Sequence, residues 1–257
     1  MNALLKELRH NPLLWLLVLV PVVLVAHKLK PDAHTTLFVL SVLAIIPLAA
    51  LMSHATESVA SKTGDGVGGL LNATFGNMTE LIIALTALKA GEYMLVKASI
   101  AGAIVTNTLF MLGMAFVLGG LKFHVQEYNK VNARVLSSML FIATVALLMP
   151  SVIAKASPDA AMAMGQPLSL ALAILLIVSY GLSLVFSLKT HSKEFASEEH
   201  GEDGETPWPM GVALGALGGV TVLVALVSEV FVESVQVAAE DFGMSPAFVG
   251  FIVVAMV

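Results

Sequence analysis

Long uncharged apolar runs recur along the chain, and a run of about 20 such residues is what a helix needs to cross the ~30 Å hydrocarbon core of a bilayer. They lie at about 13–26, 35–52, 67–88, 95–118, 135–153, 168–188 and 210–237, with an eighth beginning at Ala247. Of the 257 residues 58% are hydrophobic and 12% are charged, against about 25% charged in soluble domains. Hydrocarbon offers backbone N–H and C=O groups no partner, so such runs must close their hydrogen bonds internally. The reading is therefore an all-α polytopic membrane protein, a helical bundle of about seven full spans plus a partial eighth. The absence of cysteine excludes disulfides and thiolate chemistry. With no basic patch interleaved with aromatics, the expected surroundings are a lipid bilayer and no nucleic acid.

The first run follows an amphipathic, mildly basic segment carrying Lys6, Arg9 and His10. No small-x-small cleavage site precedes His27, which predicts an uncleaved first span rather than a secretory signal. The second run contains Pro47, where a kink is expected, and continues as a polar-faced helix through Ser53-His54-Ala55-Thr56-Glu57-Ser58. Between Lys189 and Thr206 the chain turns polar and acidic, with Glu194, Glu198, Glu199, Glu202, Asp203 and Glu205 in quick succession. This reads as a solvated linker between two membrane halves, with cation sensing as the alternative. Eight of the 13 Lys and Arg fall on the side of the amino terminus, which predicts a cytoplasmic amino terminus and linker in a plasma or inner membrane. The implied organisation is an amino-terminal segment and first helix over 1–33, a five-span repeat over 34–188, the linker over 189–207, and the start of a second repeat over 208–257.

Polar residues in such a setting carry the most information, because an unpaired polar group in hydrocarbon costs several kcal/mol or so. Gly68-Gly69-Leu70-Leu71-Asn72-Ala73-Thr74-Phe75-Gly76-Asn77-Met78-Thr79-Glu80 sits inside an otherwise lipid-soluble run. Asn72, Gly76 and Glu80 fall at i, i+4 and i+8, on one helical face, with Asn77 three residues before Glu80. Glycine there lets a helix open and free its carbonyls. Carboxylate, amide, hydroxyl and carbonyl oxygens are the hard ligands that calcium prefers, while the soft set that suits other metals is missing.

Further along, Ser99, Gly102 and Thr106 recur at helical spacing beside Asn107. Ser99 and Gly102 suit a small-residue packing seam. Asn107, a carboxamide flanked by threonines, suits a ligand or a partner to the preceding helix. Glu57 and Glu233 stand near helix ends, either on an ion path or as ordinary interfacial charges. His54 either relays protons or is simply solvated. The triplet Glu-Ser-Val closes the second run at Glu57–Val59 and recurs at Glu233–Val235 in the seventh. Five spans lie between the two matching helices, an odd offset of the kind an inverted repeat requires.

The stretch from Gly68 to Glu80 resembles the first acidic repeat motif of the calcium/proton exchangers, within the cation/calcium exchanger superfamily. Gly102-Ala103-Ile104-Val105-Thr106-Asn107-Thr108-Leu109-Phe110-Met111-Leu112-Gly113 resembles the helix that follows it, and the acidic linker fits the same family. The resemblance implies antiport of calcium against protons through glutamates in broken membrane helices. It makes Glu80 the first repeat's ion-binding glutamate, with Asn77 and Asn107 beside it as calcium ligands and Asn72 and Thr106 nearby. Glu57, Glu233 and His54 are candidates for an ion or proton path. No cofactor is implied beyond the transported calcium and protons.

In that family a second glutamate is expected from the eighth span, and the sequence reaches Val257 before one appears. The expectation is a piece of a longer exchanger that does not transport alone. Other readings are sodium/calcium or other cation/proton exchange, a non-transporting membrane subunit that completes its site by self-association, and, least favoured, an intramembrane enzyme. The last lacks a second catalytic acid or a nucleophile motif in any span.

Overall fold

A computed structural model describes residues 11–191 and 207–256. Lys6, Arg9, His10 and the acidic run of the linker lie outside the described residues. Among the described residues, six helices are long and apolar enough to span a bilayer: α1 (Pro12–Leu29), α2 (His34–Ala60), α5 (Tyr93–Lys122), α6 (Lys130–Ala156), α7 (Pro158–Thr190) and α8 (Met210–Asp241). Between them lie α3 (Asp65–Phe75) and α4 (Met78–Lys89), and the described chain closes with α9 over 246–256.

The apolar run at 67–88 is thus not one span but two short helices. The ladder stops at Gly76-Asn77, where Gly76 N–H still bonds the Asn72 carbonyl at 2.9 Å but Asn77 leaves helical geometry at φ −111°, ψ 20°. A Cβ on Gly76 would lie 2.5 Å from that carbonyl oxygen, so a side chain there could not be accommodated without a shift. α2, by contrast, continues as one helix through buried Pro47.

The chain divides into two compact units, one comprising residues 1–113 and 204–257, the other residues 114–203. In the second unit α6 and α7 form an antiparallel hairpin turned by Ser157 alone, in extended conformation. Asn129 starts α6 by accepting the N–H groups of Val131 and Asn132, both at 3.0 Å. Leu136 and Leu148 of α6 and Leu170 and Ile177 of α7 are exposed, and in a bilayer an apolar helix surface needs no apolar protein partner.

The first unit is built on the antiparallel pair α2 and α8. Their direction is fixed at three heights. Trp208 N–H bonds Ser58 Oγ at one end, Phe38 stacks on Phe231 with ring centroids 5.5 Å apart, and the Thr35 hydroxyl donates to the Asp241 carboxylate at the other end. Lipid is as apolar as leucine, so close packing rather than transfer from water holds membrane helices together. Ala44, Ile45 and Leu48 of α2 and Val224, Val227 and Val235 of α8 are accordingly at most 1% exposed. The two Glu-Ser-Val triplets share one burial pattern, glutamate exposed with serine and valine buried. α4 joins this pair through Ile83 and Ala87, and the Gln236 amide donates to the Glu92 carboxylate at 2.5 Å.

Two serines within the pair break a rule that their neighbours keep. Helical Ser and Thr in hydrocarbon usually return their hydroxyl to a carbonyl one turn back, as Thr56, Thr221 and Ser234 do at 2.7–2.8 Å. Ser41 and Ser228 are completely buried, and among the described residues neither hydroxyl has a partner. Counting from the Phe38–Phe231 stack in antiparallel helices puts them at the same height. A buried unsatisfied hydroxyl costs about 1–3 kcal/mol, so Ser41→Ala and Ser228→Ala should each raise the melting temperature in detergent. A melting temperature that falls in each single variant and recovers in the double would instead mean that the hydroxyls share a partner.

The remaining crossing is between α5 and α9. A Cβ on Gly102 would meet the Phe251 carbonyl oxygen and lie 2.8 Å from Ala255 Cβ. One on Gly250 would lie 2.7 Å from the Leu95 carbonyl oxygen. The two backbones approach as only glycine allows. This is the packing seam expected of Gly102.

Candidate functional site

Because the helix breaks at Gly76-Asn77, Asn77 becomes the residue before α4 and Glu80 falls in its first turn. The unpaired N–H groups and the dipole of a helix amino terminus favour a negative charge there. The same break leaves the last carbonyls of α3 outside any ladder. Glu80 borders a cavity of about 240 Å³ between the break and α2, lined by Gly76, Thr79 and Glu80 on one side and by Ala49, Ala50 and Ser53 on the other, with Ile46 and Met52 completing it. Thr79 is buried and its hydroxyl meets Met52 Sδ at 3.6 Å. A glutamate, a serine and a threonine therefore line one volume large enough for a cation with waters, each of which takes about 30 Å³.

A second cavity of about 280 Å³ lies beside the first. Asn11, Leu14, Leu51, His54 and Glu57 line it, and it shares Ala50 and Ser53 with the Glu80 cavity. One turn of α2 thus faces both. His54 and Glu57 enter the site region here. Glu233 does not. It lies toward the Asp241 end of α8, paired with His27 Nε2 of α1 at 3.0 Å.

The other oxygen ligands expected from the sequence are not in the lining of the Glu80 cavity. Asn72 and Asn77 are exposed on either side of the break. Thr106 and Asn107 open a π-helical turn of α5, Thr106–Met111, and Asn107 is exposed. The turn's extra residue per winding shifts the face that follows it, which helical counting cannot anticipate. Conversely, Ser53 and Thr79 line the cavity without having been singled out as ligands. The polar run Ser53–Ser58 was the signal for Ser53. Thr79 adjoined the glutamate but read as one more residue of the motif. Among the described residues, no three His, Asp or Glu side chains cluster in a way that could hold a metal ion.

Residues 33–189 match the sodium/calcium exchanger protein family. The chain belongs to this family. Among the exchangers, the Ca(2+)/H(+) antiporter of Aphanothece halophytica is 41% identical over 256 residues, spanning 94% of this chain and 68% of that protein. The Ca(2+)/H(+) antiporter ChaA of Bacillus subtilis is 40% identical over 225 residues, covering 86% of this chain and 63% of that one. Among solved structures, native YfkE superimposes with a TM-score of 0.73 at 34% identity, over 94% of this chain and 68% of YfkE. A selenium-substituted form described as the Ca2+/H+ antiporter protein YfkE gives a TM-score of 0.72. The exchanger fold expected from the sequence is thereby shown.

Proposed function

We propose that this exchanger moves calcium in one direction and protons in the other across its membrane, with Glu80 as a carboxylate that either ion can occupy but not both. The observation that carries this reading is the placement of Glu80 at the start of α4, facing a cavity between a broken helix and α2. Calcium takes six to eight oxygens. Glu80, Ser53 and Thr79 supply a minority of them, and water and a second acidic group would supply the rest. Asn72, Asn77, Thr106 and Asn107 are proposed to join when the helices around the break rearrange, as the alternating exposure of a transport site requires. Glu57 and His54, in the adjoining cavity, are proposed as the approach for calcium or protons. For Glu233 the contact with His27 favours an interfacial tie over a conducting role.

Names carried by the relatives support the calcium/proton assignment. The description of the family as a whole favours sodium/calcium exchange as the second reading. Placement in the plasma or inner membrane with a cytoplasmic amino terminus, self-association, and the division at 33/34, 188/189 and 207/208 belong to the same proposal.

The test is calcium uptake by sealed vesicles containing the full-length gene product. Acid-loaded vesicles should accumulate calcium, and a protonophore that collapses the gradient should abolish accumulation. Uptake that survives the protonophore but follows an imposed sodium gradient would transfer the assignment to sodium/calcium exchange.

A further inference from the structure

Where α8 begins, Trp208 is held at three points by α2 and the turn that follows it. Its ring lies 4.5 Å from the His54 ring, tilted by 53°. Its N–H bonds Ser58 Oγ at 3.1 Å, and its carbonyl accepts from Lys62 Nζ. His54 and Ser58 stand one turn apart on α2 and Lys62 lies in the turn just past its end, so the close of α2 is given over to this grip. The indole is 1% exposed, an unusual depth for a tryptophan two residues before a helix start.

His54 is also a wall of the 280 Å³ cavity that shares Ala50 and Ser53 with the Glu80 cavity. We propose that Trp208 is a positioning residue for ion access to Glu80: its indole holds the His54 imidazole against the wall and keeps the adjoining cavity open. The inference rests on the exchange reading above. Glu57 lines the same cavity one turn along α2 from His54, within side-chain reach on a helix. Loss of the indole removes one of the contacts that hold the imidazole at that wall, and an imidazole displaced into the space takes up part of the volume that the cation would cross. The grip thereby connects the start of α8 to the approach to Glu80. Because the effect falls beside the ion site rather than on it, it should appear in calcium affinity and not in maximal rate.

The experiment measures proton-driven calcium uptake by the full-length protein in vesicles. Trp208→Ala should raise the apparent KM for calcium by about five-fold or more, the lower end of ordinary coupling between sites, and leave the maximal rate within about two-fold. Trp208→Phe keeps a ring on His54 and should behave as wild type. Adding His54→Ala to Trp208→Ala removes the obstructing ring and should bring KM below that of Trp208→Ala alone, which a merely structural tryptophan would not allow. An unchanged KM in Trp208→Ala, or no recovery in the double variant, overturns the proposal. If Trp208→Ala does not fold, Ser58→Ala, which removes the acceptor of the Trp208 N–H, takes its place with the same two criteria.

A readout independent of transport separates this inference from the exchange reading. In a Trp15→Phe background Trp208 is the sole tryptophan, and calcium should change its emission unless Glu80→Gln is also present. Silent emission while wild-type uptake is intact sinks the role of Trp208. A calcium-responsive emission in a protein that shows no proton-driven uptake sinks the exchange reading and leaves the coupling standing.

Discussion

Glu80→Gln should abolish proton-driven calcium uptake while leaving the protein folded. Glutamine keeps the shape of the side chain and one carbonyl oxygen, so the walls of the 240 Å³ cavity lose no volume. What disappears is the negative charge at the start of α4 and the ability to exchange a proton for a cation. Taking one partner from a buried charge pair costs about 3–5 kcal/mol, and each 1.4 kcal/mol or so is tenfold in affinity. Calcium affinity should therefore fall by at least about 100-fold, and uptake at ordinary calcium concentrations should drop to the level of empty vesicles. The melting temperature in detergent without calcium should be unchanged or slightly raised, because a neutral amide is easier to bury than a carboxylate. Calcium should raise the melting temperature of the wild type by mass action and leave that of Glu80→Gln unmoved. Uptake retained by the variant would make Glu80 a structural acid and remove the basis of the proposed function. Ser53→Ala is the graded comparison. It deletes one neutral oxygen from the shared wall of the two cavities, so its effect on affinity should be far smaller than that of Glu80→Gln.

Much of this was legible in the sequence, for reasons that the particular residues make clear. Apolar length alone defines spanning helices, because the bilayer has a fixed thickness, and α2 and α8 lie where their runs lie. Glu80 could be singled out because a carboxylate in an apolar run has no structural excuse. The Glu-Ser-Val repeat could be noticed because it is a literal match. Length and hydropathy could not show that the run at 67–88 stops being a helix at Gly76-Asn77, although the residues that stop it were in view. A π turn leaves no sequence signature, so the face presented by Asn107 could not be counted from Gly102. Ser53 and Trp208 were hidden for a different reason. Their roles come from what lies across a helix interface, 27 residues before Glu80 in one case and 154 residues after His54 in the other, and periodicity within one element carries no information about such neighbours.

The second large effect is expected at the crossing of α5 and α9. Within α5, Gly102 and Gly113 are both helical, so replacing either by alanine gains about the same helix propensity, roughly 1 kcal/mol. Among the described residues, Gly113 has nothing within 4 Å of the position a Cβ would take, whereas at Gly102 that position runs into the Phe251 carbonyl oxygen and lies 2.8 Å from Ala255 Cβ. The first contact is with backbone, which cannot rotate aside as a side chain can. Gly113→Ala should therefore be neutral or stabilising. Gly102→Ala should cost about 1–3 kcal/mol by overpacking, and Gly102→Val should separate the helices and cost more. Because propensity cancels between the two positions, the difference in melting temperature between the alanine variants isolates the crossing. Thr106 and Asn107 open the π turn only four and five residues beyond Gly102, so spreading the crossing also moves them. Gly102→Ala should then lose calcium uptake out of proportion to any loss of folded protein, while Gly113→Ala keeps both. Equal stability in the two variants would mean that α5 and α9 do not approach at Gly102, and the seam would have to be sought elsewhere on α5.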